Sequence, residues 1–113
     1  AFEFVEQNIS PDKVILASPS YANLLPAYTA RRVFYGHYSL TIDNERKKDA
    51  SEIVVNTPAL ASDPLHKFLA DNGIDYLFVD KNSQYWFNFQ WRDRQYLKPV
   101  YSSGQFQIFS YAP

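Results

Sequence analysis

Apolar positions along the chain change their spacing repeatedly, and the changes mark out alternating helices and strands. Phe2, Val5 and Ile9 share one face of a short helix over residues 1–9. Ser10-Pro11 stops it, because the residue before a proline is pushed out of the α region. Lys13-Val14-Ile15-Leu16-Ala17 is an unbroken apolar run bounded by turn residues, the pattern of a buried parallel strand. Ser18 and Ser20 suit the cap of the next helix, which carries Leu24 and Leu25 and whose length Pro26 limits. Arg32-Val33-Phe34-Tyr35 reads as a second strand closed by Gly36-His37. Thr41 or Asp43 then caps a charged helix from Glu45 to about Val55, with Arg46, Lys47 and Lys48 on its solvated face, and Asn56-Thr57-Pro58 ends it.

Ser62-Asp63-Pro64-Leu65 combines a cap, an acid and a first-turn proline, a strong helix start. Leu65, Phe68 and Leu69 form its buried stripe, and Asn72-Gly73 supplies a left-handed stop. Ile74-Asp75-Tyr76-Leu77-Phe78-Val79 is a third strand. Lys98-Pro99-Val100-Tyr101 and Phe106-Gln107-Ile108-Phe109-Ser110-Tyr111 flank Ser102-Ser103-Gly104, a hairpin signal. Strands alternating with helices predict an α/β fold: a small Rossmann-like, three-layer domain with a mainly parallel sheet and right-handed crossovers. The expected strand order is 2-1-3, with the C-terminal antiparallel hairpin at one edge.

Composition narrows the classes. The chain has 113 residues, the size of one domain, and hydrophobic residues make up 46%, which argues against intrinsic disorder. A net charge of -1 offers no field for nucleic acid. No Cys is present, so disulfides, thiolate nucleophiles and zinc ribbons are all ruled out. No apolar run approaches the ~18 residues needed to span a bilayer. The chain starts on Ala1 inside an amphipathic stretch, so it reads as a fragment of something longer, with any membrane segment before Ala1.

Candidate chemistry gathers at the expected carboxyl ends of the strands, where open parallel sheets bind ligands. Ser18, Ser20, Tyr21 and Asn23 follow the first strand; Gly36, His37 and Tyr38 follow the second; Asp80 follows the third. Ser20 at a helix start suits a phosphate or carboxylate, although Ser18 and Ser20 are equally read as plain caps and His37 as scaffolding. Arg31 and Arg32 are adjacent at a strand start and so point to opposite faces. One is expected to pair with a carboxylate, Asp75 or Asp80, and the other to face an anionic lipid-linked sugar or headgroup. His66 sits beside Lys67 and is expected to face solvent. Tyr85-Trp86-Phe87-Asn88-Phe89-Gln90-Trp91-Arg92 alternates as a strand does, although Trp86 and Phe89 would also share a helical face. Its aromatics are read first as core, and alternatively, through Trp86 and Trp91, as contacts to a membrane interface or to sugar rings. No catalytic set, metal site or cofactor site is evident: Gly-x-Ser-x-Gly is absent and His37 lacks partner ligands.

The order Ser18-Pro19, Asn23, Pro26-Ala27, Thr29, Arg31-Arg32-Val33, Gly36-His37, Thr41, Asp43 is similar to a recurring pattern in bacterial polytopic membrane proteins. So are the Gly73-Ile74-Asp75-Tyr76-Leu77-Phe78-Val79 strand and the terminal Val-Tyr, turn, Ile-Phe hairpin. These proteins resemble the GT-C glycosyltransferases, the dolichyl-phosphate-mannose-protein mannosyltransferase-like group, and the pattern lies in the domain after their last transmembrane helix. It covers nearly the whole chain except about residues 81–95. The resemblance implies a non-catalytic, extracytoplasmic accessory domain, attached through the transmembrane portion of its parent chain and near a lipid-linked sugar or acceptor. The alternative is an independent binding module for a small anion or sugar, using Ser20, Arg31, His37 and Tyr38.

Overall fold

The computed structural model describes residues 1–22, 24–35, 44–57, 63–83, 86 and 89–113. In chain order these form α1 (Phe2–Asn8), β1 (Val14–Ala17), α2 (Pro19–Ala22), α3 (Leu24–Thr29), β2 (Arg32–Val33), α4 (Asn44–Asn56), α5 (Pro64–Asp71), β3 (Tyr76–Asp80), β4 (Leu97–Ser102) and β5 (Phe106–Tyr111). The strands make one five-stranded sheet in the order β2-β1-β3-β5-β4.

The expected order of the first three strands and the position of the hairpin are both found. The expectation of a mainly parallel sheet is corrected. β1 pairs in parallel with β2 and β3, but β5 pairs antiparallel with both β3 and β4, so the sheet is mixed. The reason is the hairpin. It lies directly against β3, where a further crossover strand would have to stand, and contributes as many antiparallel pairings as the crossovers contribute parallel ones.

Alternation along the strands sorts the layers. On one face, Phe78 of β3 meets Phe2 of α1, Tyr21 of α2 and Phe106 of β5, with ring centroids 5.3–6.0 Å apart. On the other, Phe109 and Leu77 are register partners. Tyr111 lies 5.6 Å from His66 of α5, and Phe34 lies 5.4 Å from Phe68 of α5. Helices therefore cover both faces. Ile15, Leu16, Leu77, Phe78, Ile108 and Phe109 between them are fully shielded from solvent, each worth about 1.5–3 kcal/mol against exposure.

Local chemistry explains the element ends. Asp63 caps α5 by accepting from the Leu65 N–H at 3.1 Å, with Pro64 in the first turn. Gly73 follows α5 at φ +64°, in the left-handed region that glycine enters without a Cβ penalty. Ala30 takes the same kind of conformation after α3, at φ 56°, and its N–H donates to Pro26 O at 3.1 Å. Pro26 itself does not end a helix, contrary to expectation. It is the third residue of α3, where its missing N–H has no intrahelical partner to lose. β2 is two residues long rather than four: among the described residues it pairs with β1 alone, with one further bond from Phe34 N to Ile15 O at 2.9 Å. The pairing of β4 with β5 shifts register between Pro99 and Tyr101. The expected α4 caps, Thr41 and Asp43, lie outside the described residues, as does Pro58.

A groove beside the third strand as the candidate site

Between β3 and β4 the described residues form neither the strand nor the helix that the aromatic spacing allows. Trp86, Arg92 and Asp93 lie in turns, and residues 89–91 have no regular structure. Their rings cover the sheet instead of extending it. Phe89 meets Phe109 edge-on at 5.8 Å, and Trp91 meets the same ring at 5.3 Å. Trp86 packs against Phe89 at 6.2 Å and is only 4% exposed.

A groove of about 640 Å³ opens above these rings, lined by Lys81, Phe89, Gln90, Trp91, Arg92, Asp93 and Gln107. A smaller recess of about 240 Å³ shares Lys81, Phe89, Trp91 and Gln107 with it and reaches Val79, Asp80, Ser83 and Trp86. The two are one depression at the carboxyl end of β3. The Arg92 guanidinium carbon sits 5.7 Å from the Trp91 ring centroid, so cation and indole form a continuous surface. Lys81 is held by donating from Nζ to Ser103 O at 2.6 Å, and Asp80 Oδ1 accepts from the Asn82 N–H at 2.9 Å. The buried Trp86 indole N–H finds no acceptor among the described residues, an omission that ordinarily costs about 1–3 kcal/mol.

A buried ionic hub fixes this loop from below. Arg94 has a side chain with 0% exposure, and Asp63, 13% exposed, faces it; Arg94 Nε donates to Asp63 Oδ2 at 3.0 Å. Arg94 Nη1 donates to Gln90 O in the groove wall, and Nη2 donates to Thr57 O just beyond α4. The Tyr96 hydroxyl donates to Asp63 Oδ2. Burial alone would raise the Asp63 pKa, but the hydrogen bonds from Tyr96 and Arg94 and the charge of Arg94 bring it below the usual carboxylate value. Tyr96 is pushed well above the normal phenol value, first by burial and then by its bond to Asp63. His66 lies 4.4 Å from the Tyr96 ring, tilted by 34° and half-buried, rather than facing solvent.

Among the described residues, the structure does not bring the sequence-derived candidates together at one place. Asn23, Gly36, His37 and Tyr38 lie outside the described residues. Ser20 lies within α2. Tyr21 belongs to the aromatic packing of the opposite face, 4.9 Å from Phe106, and its hydroxyl accepts from Gln105 Nε2 at 3.3 Å. One of Arg31 and Arg32 is expected to pair with a carboxylate, whereas Arg31 forms a helix clamp on backbone carbonyls. Arg31 Nε donates to Ile9 O at 2.6 Å, Nη2 to Glu6 O at 2.7 Å and Nη1 to Thr29 O at 2.9 Å. The α1 helix has no basic residue in its last turn, so Arg31 supplies the cation its carbonyl end favours. Asp75 instead accepts from the Val14 N–H at 3.0 Å. Arg32 is exposed on β2. Ser18 is fully buried, and its Oγ has no partner among the described residues. Burial removes Trp86 as a membrane-facing residue, whereas Trp91 lines the groove. Among the described residues, no three His, Asp or Glu are close enough to hold a metal ion.

Sequence reasoning missed Lys81, Gln90, Asp93 and Gln107 as a group. Gln107 carried a signal: it is a polar residue on the sheet face that Val79 and Phe109 otherwise make apolar.

No protein family matches the chain, and no curated protein matches it in sequence. Among solved structures, the chain is similar to the C-terminal globular domain of an oligosaccharyltransferase from Archaeoglobus fulgidus. The TM-score is 0.72 at 8% identity, and the match covers 97% of this chain and 93% of that one. The two share a fold from end to end.

Proposed function

We propose that the chain is a non-catalytic accessory domain of a GT-C type, glycosyltransferase-like membrane protein, placed on its extracytoplasmic side and packed against the transmembrane portion of its own parent chain. The observation that carries this reading is the fold shared over 97% of the chain with a globular domain of an oligosaccharyltransferase. The sequence pattern from Ser18 to Asp43 supports the same direction from independent residues. Among the described residues no helix is long and apolar enough to cross a membrane, so anchoring falls to the rest of the parent. The buried Arg94 supports a scaffold rather than a reaction centre: it is consumed by Asp63 and by the Gln90 and Thr57 carbonyls.

The test is expression of the full parent chain with and without residues 1–113. Reduced sugar transfer or reduced protein level is expected on removal. Unchanged transfer together with unchanged level would discard the reading. The alternative, an anion-binding module built on Ser20, Arg31, His37 and Tyr38, would draw on an Arg31 guanidinium whose three nitrogens each already donate to the backbone.

A further inference from the structure

We infer that the depression beside β3 is a binding site for an uncharged oligosaccharide, with Trp91 as its stacking platform. The inference rests on the accessory-domain reading for its setting and on the groove for its chemistry. Its volume, about 640 Å³, falls within the roughly 300–1,000 Å³ of small-molecule sites. A sugar ring presents an apolar C–H face and a perimeter of hydroxyls, and the depression offers a complement to each. Phe89 and Trp91 give aromatic surface already braced on Phe109, so it is positioned before a ligand arrives. Gln90 and Gln107 carry amides that both donate and accept, as a hydroxyl requires, and Asp93 and Arg92 add an acceptor and a fork of donors.

Two observations select an uncharged glycan over other ligands. The formal charges around the joined depression cancel, Lys81 and Arg92 against Asp80 and Asp93, so a phosphate or nucleic acid gains no net attraction. Trp86 walls the smaller recess and packs on Phe89 at 6.2 Å, so the depression offers a further apolar face to the C–H side of a sugar ring. A membrane surface fits less well, since the aromatics lie in a concave site with a charged rim rather than on an exposed belt.

The chain has two Trp, so a nitrogen-labelled sample gives two indole N–H resonances, assignable with Trp91→Phe. Titration uses chitotriose, mannotriose and maltotriose. At least one is expected to shift both indole resonances with a dissociation constant of about 1 mM. The double variant Gln90→Ala/Asp93→Ala alters only exposed side chains and is expected to weaken that binding at least tenfold while leaving the rest of the spectrum in place. Silence of both resonances for all three sugars at about 50 mM, far above that constant, would overturn the assignment. So would shifts unaffected by the double variant, or shifts produced only by phosphatidylglycerol vesicles. A failed titration leaves the outcome of deleting the domain from its parent untouched, and the converse also holds.

Discussion

Arg94 donates from Nε to Asp63 Oδ2 at 3.0 Å, across 31 positions of sequence, and this one pair closes the domain around its groove. Asp63 caps α5 with its other oxygen, and Arg94 reaches the backbone of Gln90 and Thr57. Removing either partner strands a buried charge, which typically costs about 3–5 kcal/mol. Arg94→Met and Asp63→Asn are each expected to destabilise on that scale in urea unfolding. The double variant is expected to fall short of the sum of the two, because the second change no longer leaves an unpaired ion. Strict additivity would show that the pair is not coupled.

The same hub sets the pH limits. The Asp63 pKa is lowered in the fold, so its stabilisation is present above the ordinary value of 3.8 and is lost as pH falls below it. The Tyr96 pKa is raised, so its contribution is present below the ordinary value of 10.0 and is lost as pH rises beyond it. The urea midpoint is expected to fall below about pH 4 and above about pH 10. Asp63→Asn should flatten the acid limb. Tyr96→Phe should reduce the alkaline limb without abolishing it, because Tyr35, raised by burial and then by Glu52, titrates there too.

Arg31 is a clamp, and its loss should be local. Arg31→Ala removes three charge-assisted bonds to carbonyls, for an expected total of about 1–3 kcal/mol given its partial exposure. Hydrogen exchange should quicken first in α1. Arg31→Lys is expected to recover little, since an ammonium cannot address three diverging carbonyls as the fork does. Protection of α1 unchanged in Arg31→Ala would contradict the assignment.

Ala30 and Gly73 occupy left-handed backbone at φ 56° and +64° after α3 and α5. Ala30→Gly should therefore stabilise the chain by about 0.5–1 kcal/mol. Gly73→Ala should destabilise it by about 1 kcal/mol even though its Cβ would meet nothing within 4 Å. Thermal unfolding reads both, and equal signs for the two changes would refute the conformational argument.

Much of the fold was legible because its signals are local. Asp63-Pro64 marks a helix start by cap chemistry that needs no tertiary partner. Phe106–Tyr111 reads as a strand because a glycine turn precedes it. The hub was not legible, since nothing near Arg94 in sequence indicates that its carboxylate lies beyond an intervening helix and strand. The groove was half visible. The Trp86–Trp91 aromatics stood out, but their alternation suggested a strand, whereas Phe89 and Trp91 lie in irregular chain with their rings against Phe109 of the sheet. Arg31 misled for another reason: an arginine invites a carboxylate, and three backbone carbonyls satisfied it instead.

The Pro99 ring on β4 and the register shift beside it carry a last consequence. β4 is the outermost strand, and there the proline offers no N–H while the shift twists the following pair out of line; Lys98 adds a charge alongside. At the far margin β2 is two residues long. The β4 border therefore does not invite another chain to add itself as a strand, and self-association through that edge is discouraged.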